Sequence, residues 1–275
     1  TDTKMNDTAR RLFYLQYPEL NNKADFNSHC RENERTIVLG CYISGGQKIY
    51  LLDVTEKRLA GVEQVTAAHE LLHAAYDRLD EEEKSNVNRM VTNAFAKLND
   101  QRIRETIAEY KKAGADINNE LHSILGTEVN KLPQELESYY GRYFTNRAKT
   151  VAYSEKYQSE FAKRKAQVAA YDTQLGSLKE RIDALQAELG RKENAIDSQK
   201  ARLDTLLAAD DRSAYNALVP AYNGLISSYN AGVEEIRQLI VAYNQILNQR
   251  NAIAIEEQEL LKALDSRSIT PQNQR

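Results

Sequence analysis

His69, Glu70 and His73 are the residues of this chain best suited to chemistry. Imidazoles four positions apart on a helix lie on one face about 6 Å from each other, so both rings can reach a single ion. Glu70 leaves the helix on the neighbouring face, where a carboxylate can hold a water beside that ion and take its proton. The run His69-Glu-Leu-Leu-His73 therefore predicts a divalent-metal site of the hydrolytic zinc kind. The competing reading is a surface helix with two incidental histidines and a solvated carboxylate. The surroundings weigh against it. No Pro or Gly occurs from 62 to 80, so the motif sits inside a helix, and Ala67, Ala68, Ala74 and Ala75 let neighbouring elements pack close. Two of the four His in the chain fall in these five residues.

A catalytic zinc site takes three protein ligands and keeps one position open. The downstream stretch Asp116 to Glu128 offers both His and Glu on a predicted helix. Glu120 and His122 are about 200° apart around such a helix, and Glu120 and Glu128 share a face but lie about 12 Å apart, so only one of the three serves one ion. Glu120 is preferred, with His122 and Glu128 as the alternatives. Each has a structural role to set against this: solvated helix carboxylates for Glu120 and Glu128, a satisfied core residue for His122. His29, beside Cys30, is read as structural. Tyr139, Tyr140 and Tyr143 are unranked candidates for a hydrogen-bond donor to an oxyanion.

On these residues the chain resembles the zincin metallopeptidases, and most closely their branch with a Glu third ligand on a later helix. The resemblance covers roughly 36 to 147 and is specific at 69 to 73. Asn119-Glu120 is similar to the Asn-Glu that opens the third-ligand helix of thermolysin-like enzymes, although Ile124 stands where that pattern has Asp. The longer motif of the metzincins is missing, since Asp77 and the acidic run from 80 to 83 follow instead. The resemblance implies zinc-dependent peptide hydrolysis, with His69, His73 and Glu120 on Zn²⁺ and Glu70 as general base. It also implies an edge strand that binds extended substrate by strand addition; 48 to 54 is in the right place for this, or is an ordinary two-stranded cover.

The elements that must position these residues are mainly α with a small β-hairpin. Asp7 is the predicted cap of a helix from 8 to 16, and strands at 36 to 43 and 48 to 54 flank Ser44-Gly-Gly-Gln47. Asp80 with Glu83 predicts a capping box before a helix from 81 to 97, and further helices are expected at 101 to 112, 116 to 126 and 133 to 147. Beyond about 153, Val168, Leu175, Ile182, Leu189, Ile196 and Leu203 recur every seven residues, with Lys192 and Gln199 as polar interruptions at the partner positions. The polar break at 208 to 213 separates this from a second apolar stripe that includes Leu225, Leu239 and Ile253 and a Tyr-Asn repeat. Two arms of similar length predict a long antiparallel coiled-coil hairpin roughly 80 Å long, with Pro220 and Gly224 bending or fraying the start of its second arm. A compact zincin-like domain at 1 to 150 and the hairpin at 151 to 275 are the expected domains.

Composition narrows the partners. A net charge of −3 with both signs interspersed leaves no basic footprint for nucleic acid. No apolar run is long enough for a transmembrane segment. Ten residues separate Cys30 from Cys41, a spacing at which a disulfide is sterically possible, and such a bond favours an extracellular or cell-envelope location. Thr1 in place of an initiator Met is expected of a processed chain or a trimmed one. The expected partners are a peptide or protein substrate and a protein partner, or a second copy, held through the coiled coil. An alternative from another class is a catalytically inactive, metal-stabilised adaptor in which the coiled coil is the interacting part. A third is a helical module with a coincidental motif.

Overall fold

A computed structural model describes residues 3–30 and 38–267. The chain divides into two units, Thr1–Lys163 with Glu257–Arg275, and Arg164–Glu256. In the first unit α1 (Asp7–Tyr14) starts from Asn6, whose side chain accepts from the Ala9 N–H, so the cap falls one residue before the expected Asp7. Strand β1 (Glu19–Asn21) and helix α2 (Lys23–His29) precede β2 (Gly40–Ile43) and β3 (Lys48–Leu52). Thr36 and Ile37, expected in the first strand of the hairpin, lie outside the described residues. The hairpin β2–β3 is antiparallel, and β1 adds in parallel to the other side of β3. The order β1-β3-β2 makes β3 the central strand and β2 an edge, which corrects the expectation that 48 to 54 supplies an edge. Three-residue β1 carries too little periodicity to be read from sequence.

Helix α3 (Val62–Tyr76) carries the His-Glu motif and is the hub of the unit, with Ala68, Leu71, Leu72 and Ala74 fully buried. Around it pack α4 (Glu81–Lys97), α5 (Gln101–Ala113), α6 (Ile117–Glu128) and α7 (Gln134–Tyr140). The capping box at Asp80 is present, with Glu83 N–H donating to Asp80 Oδ1 at 2.8 Å. Gly126 sets the approach of α6 to α3: a Cβ there would lie 2.4 Å from Leu72 Cδ1 and 2.8 Å from Tyr140 Cε1. Any larger residue pushes apart the two helices that carry the candidate ligands.

The single helix expected from 133 to 147 is two pieces. After α7 the chain is drawn into pairing with the N-terminal segment: Asn6 N–H donates to the Tyr143 carbonyl at 2.8 Å and Thr145 N–H to that of Lys4 at 2.8 Å. A new helix, α8 (Arg147–Ala208), starts at Arg147. The buried Arg147 guanidinium donates to the carbonyls of Val129 at 2.6 Å and Asn130 at 2.9 Å and pairs with Glu137, so it satisfies groups that the end of α6 leaves open. The last turns of α9 (Arg212–Leu264) return to this unit, where Leu260 and Leu264 pack on Leu59 and Val62.

In the second unit α8 and α9 form an antiparallel hairpin. Arg164 meets Glu256 at 3.3 Å, Asp172 meets Arg250 at 2.9 Å, and the Lys192 ammonium reaches the Ser228 carbonyl at 3.4 Å. From the first of these pairs to the last the two arms advance by equal numbers of residues, as a fixed antiparallel register requires. Leu175, Leu203 and Leu239 are the buried seam residues of this unit. The reversal at 209–211 has Asp210 at φ 54°, and the Asp211 side chain accepts from Ala214 N–H as α9 begins. Helix α9 runs unbroken through Pro220 and Gly224, without the expected fraying. Pro220 and Asn216, whose carbonyl loses its helical partner, are both exposed, so water takes the place of the missing N–H.

Candidate metal centre

The close approach of α3 and α6 brings His69, His73 and Glu120 together, as a group whose ligand atoms all lie within 4.8 Å of one another. Glu120 Oε2 is 3.9 Å from Nε2 of both His69 and His73. These separations exceed a hydrogen bond, so the three side chains surround a common point instead of bonding to one another. Bonds of about 2.1 Å at a tetrahedral angle put ligand atoms about 3.4 Å apart. The two distances from Glu120 are within half an ångström of that, and no pair of ligand atoms in the group is more than 4.8 Å apart. The donor set of two imidazoles and one carboxylate is one that zinc accepts.

Neutral imidazole is the form that ligates, and both rings are held in it. Burial pushes His69 well below the usual imidazole range, with the nearby His73 and His122 acting in the same direction. Burial also lowers His73, against the opposing influence of Asn119, Asp77 and Asp116. His73 Nδ1 lies 2.9 Å from Asn119 Oδ1. An amide oxygen only accepts, so Nδ1 carries the proton and the Nε2 lone pair is turned toward Glu120. Asn119 precedes Glu120 in the first turn of α6, where the Asp116 side chain caps the helix through the N–H groups of Asn118 and Asn119. One capped turn thus supplies both the carboxylate and the group that orients a histidine.

Glu70 is buried beside this group, under β2. A Cβ at Gly40 would lie 2.8 Å from Glu70 Cγ and Oε1 and 2.6 Å from Thr66 Cγ2, so glycine is what lets the strand cross the helix at this point. A cleft of about 720 Å³ runs along α3, from Val65 and Thr66 past His69, Glu70 and His73 to Asp77. One wall is β2 with its flanks, Val38 to Ser44. The disulfide Cys30–Cys41, with 5.9 Å between the Cα atoms, fastens this strand to the end of α2.

The alternatives on α6 lie elsewhere. His122 is fully buried and faces away from the ligand group, with Nε2 3.0 Å from Tyr139 Oη and its carbonyl accepting from Tyr140 Oη at 2.6 Å. Burial, with His73 nearby, pushes it down to about 3. Glu128 lines the far end of the cleft, where its Oε2 accepts from Arg102 at 2.7 Å and from Gln158 at 3.0 Å. Tyr139, Tyr140 and Tyr143 are core residues outside the cleft, because α7 and the turn after it pack on the His122 side of α6. Among the described residues the phenols that line the cleft are Tyr42, Tyr110 and Tyr157. Neither these nor the role of Gly40 carries a local sequence signal; Asn119 is singled out in the sequence beside Glu120, but its bond to His73 joins two helices and shows only in the fold. His29 stacks on Tyr50 with ring centroids 4.2 Å apart, at the edge of the cleft.

Compared with protein-family models, with curated proteins and with solved structures, the chain matches none.

Proposed function

We propose that this chain is a zinc-dependent peptide hydrolase of the zincin kind. The observation that carries the reading is the convergence of His69, His73 and Glu120 on one point with Glu70 beside it, in a cleft bordered by an edge strand. Bound zinc would supply Lewis acidity, lowering the pKa of a water toward about 7 and polarising a carbonyl. The residues of the chain do the rest. His69, His73 and Glu120 hold the ion, and Asn119 keeps His73 in the ligating tautomer. Glu70 takes the proton of the attacking water and returns it to the leaving amine, a transfer favoured by a dry surrounding. Among the described residues no strand pairs with the outer edge of β2, and that edge would accept an extended peptide by backbone hydrogen bonding, with Gly40 bringing it down to Glu70. The Cys30–Cys41 disulfide supports action in an oxidising compartment, outside the cell or in its envelope.

The test is zinc content together with peptide hydrolysis, for the natural chain and for Glu70→Gln. We expect one zinc per chain in both, and turnover in the natural chain alone. Stoichiometric zinc with no turnover of any peptide would replace the hydrolase by a metal-stabilised adaptor. A chain that binds no metal would remove both readings.

A further inference from the structure

The two ends of the cleft differ in chemistry. Toward the end of α3 it is bordered by Asp77 and Ser44. At the other end the floor is Val65, one turn before His69 and so about 6 Å along the axis from it. The side there is made by Tyr157, which belongs to the first turns of α8, and by Thr106, one turn from Arg102 on α5; Tyr110 lines the cleft a turn further along α5, toward Glu120. Tyr157 is half-buried and packs on the cluster of Leu59, Val62, Leu260 and Leu264. Its phenol is pushed up to about 12 by burial, with Glu128 adding to this, and stays protonated at neutral pH. Glu128 closes the end. Its bonds to Arg102 and Gln158 tie α5, α6 and α8 together, which spends this carboxylate on holding the wall. All these residues lie in the first unit.

We infer that the base of the helical pair is part of the substrate cleft, and that Tyr157, with Val65 and Thr106, forms a subsite for a large apolar or aromatic side chain of an extended peptide. The inference rests on the reading of the cleft as a peptide site. From Val65 to Asp77 the cleft follows about 18 Å of helix, the length of about five extended residues. A side chain one helical turn from the metal point is therefore one or two residues from the bond to be cut. A phenol ring and a valine bury an aromatic side chain well and give a small one little to touch.

The chain contains no Trp, so the emission of a Trp-bearing peptide reports on the peptide alone. Full-length Glu70→Gln protein is titrated into hexapeptides in which one Trp is walked through a background of Ala and Ser, with fluorescence anisotropy as the readout. Affinity for a dye-labelled peptide without Trp is measured by the same method. We expect about tenfold tighter binding when Trp occupies one or two adjacent positions. That preference should fall to less than about twofold in Tyr157→Ala and in Thr106→Phe, which fills the subsite from α5 without removing a core side chain. Circular dichroism identifies the variants that fold, and Thr106→Phe decides if Tyr157→Ala does not. Absence of a preferred position in the Glu70→Gln protein, absence of binding, or a preference untouched in either folded variant would overturn the subsite. Binding with the preference but no zinc-dependent turnover would leave the subsite and remove the peptidase. Turnover without the preference would do the reverse.

Discussion

At His73 a single hydrogen bond decides which ring nitrogen faces the ligand point. The Asn119 side-chain oxygen Oδ1 fixes the proton on Nδ1, and removing it lets the ring rotate or adopt the other tautomer. Asn119→Ala should weaken zinc binding by about 10- to 100-fold, the usual cost of losing such a partner, while leaving helicity unchanged. Competition against a chromophoric chelator measures this, and an unchanged affinity would show that packing alone orients the ring. The same assay separates the carboxylates of α6. Glu120→Ala, like His69→Ala and His73→Ala, should lose stoichiometric zinc, whereas Glu128→Ala should retain it, because Glu128 is engaged with Arg102 and Gln158. Loss of zinc in Glu128→Ala with retention in Glu120→Ala would reverse the assignment.

Between elements, the site depends on how closely α6 and β2 approach α3. Gly126 faces Leu72 and Tyr140 at distances that leave no room for a methyl group. Gly126→Ala should therefore destabilise the protein by about 1–3 kcal/mol, as overpacking does, and should also weaken zinc binding because it displaces the helix that carries Glu120. Thermal unfolding with and without zinc tests both effects; full zinc affinity in a destabilised variant would mean that Glu120 moves independently of the packing at Gly126. Sequence reveals α3 and α6 because their signals are local: the motif has its spacing within one turn of α3, and the helix expected from 116 appears as α6, capped by Asp116. It does not reveal that β3 is central, since β1 contributes three residues from a segment distant in sequence. Nor does it reveal the break after α7, where pairing of Met5 with Phe144 overrides helix propensity. Gly40 and Gly126 are equally silent, because their reason lies in residues that touch them only after folding. The His-His-Glu group and the strand that walls one side of the cleft were legible, and the α5 and α8 residues on its other side were not.

At the scale of the molecule, the heptad repeat of α8 and the stripe of α9 fix a pairing that neither arm can supply alone. The seam of the second unit is built from half-buried residues and a few buried leucines, so its stabilisation is spread along the arms. At about 25 cal/mol per Å² such a seam offsets the entropy of ordering two long helices only when both are present. Peptides of the separate arms should be largely disordered as monomers, and circular dichroism at low concentration measures this. The turn at 209–211 makes the pairing intramolecular, and its position sets the register. Ser177 and Gln238 are exposed and stand within about 10 Å of the same height on the two arms, given the contacts of Asp172 with Arg250 and of Lys192 with Ser228. Spin labels at these two positions should be within about 20 Å of each other in monomeric protein, since helices in such a pair are spaced by about 10 Å and the labels add the rest. A helix running straight through 209–211 would put them about 90 Å apart at 1.5 Å per residue. That distance, with a concentration-dependent sedimentation profile, would mean that the arms pair between chains and that the hairpin is wrong.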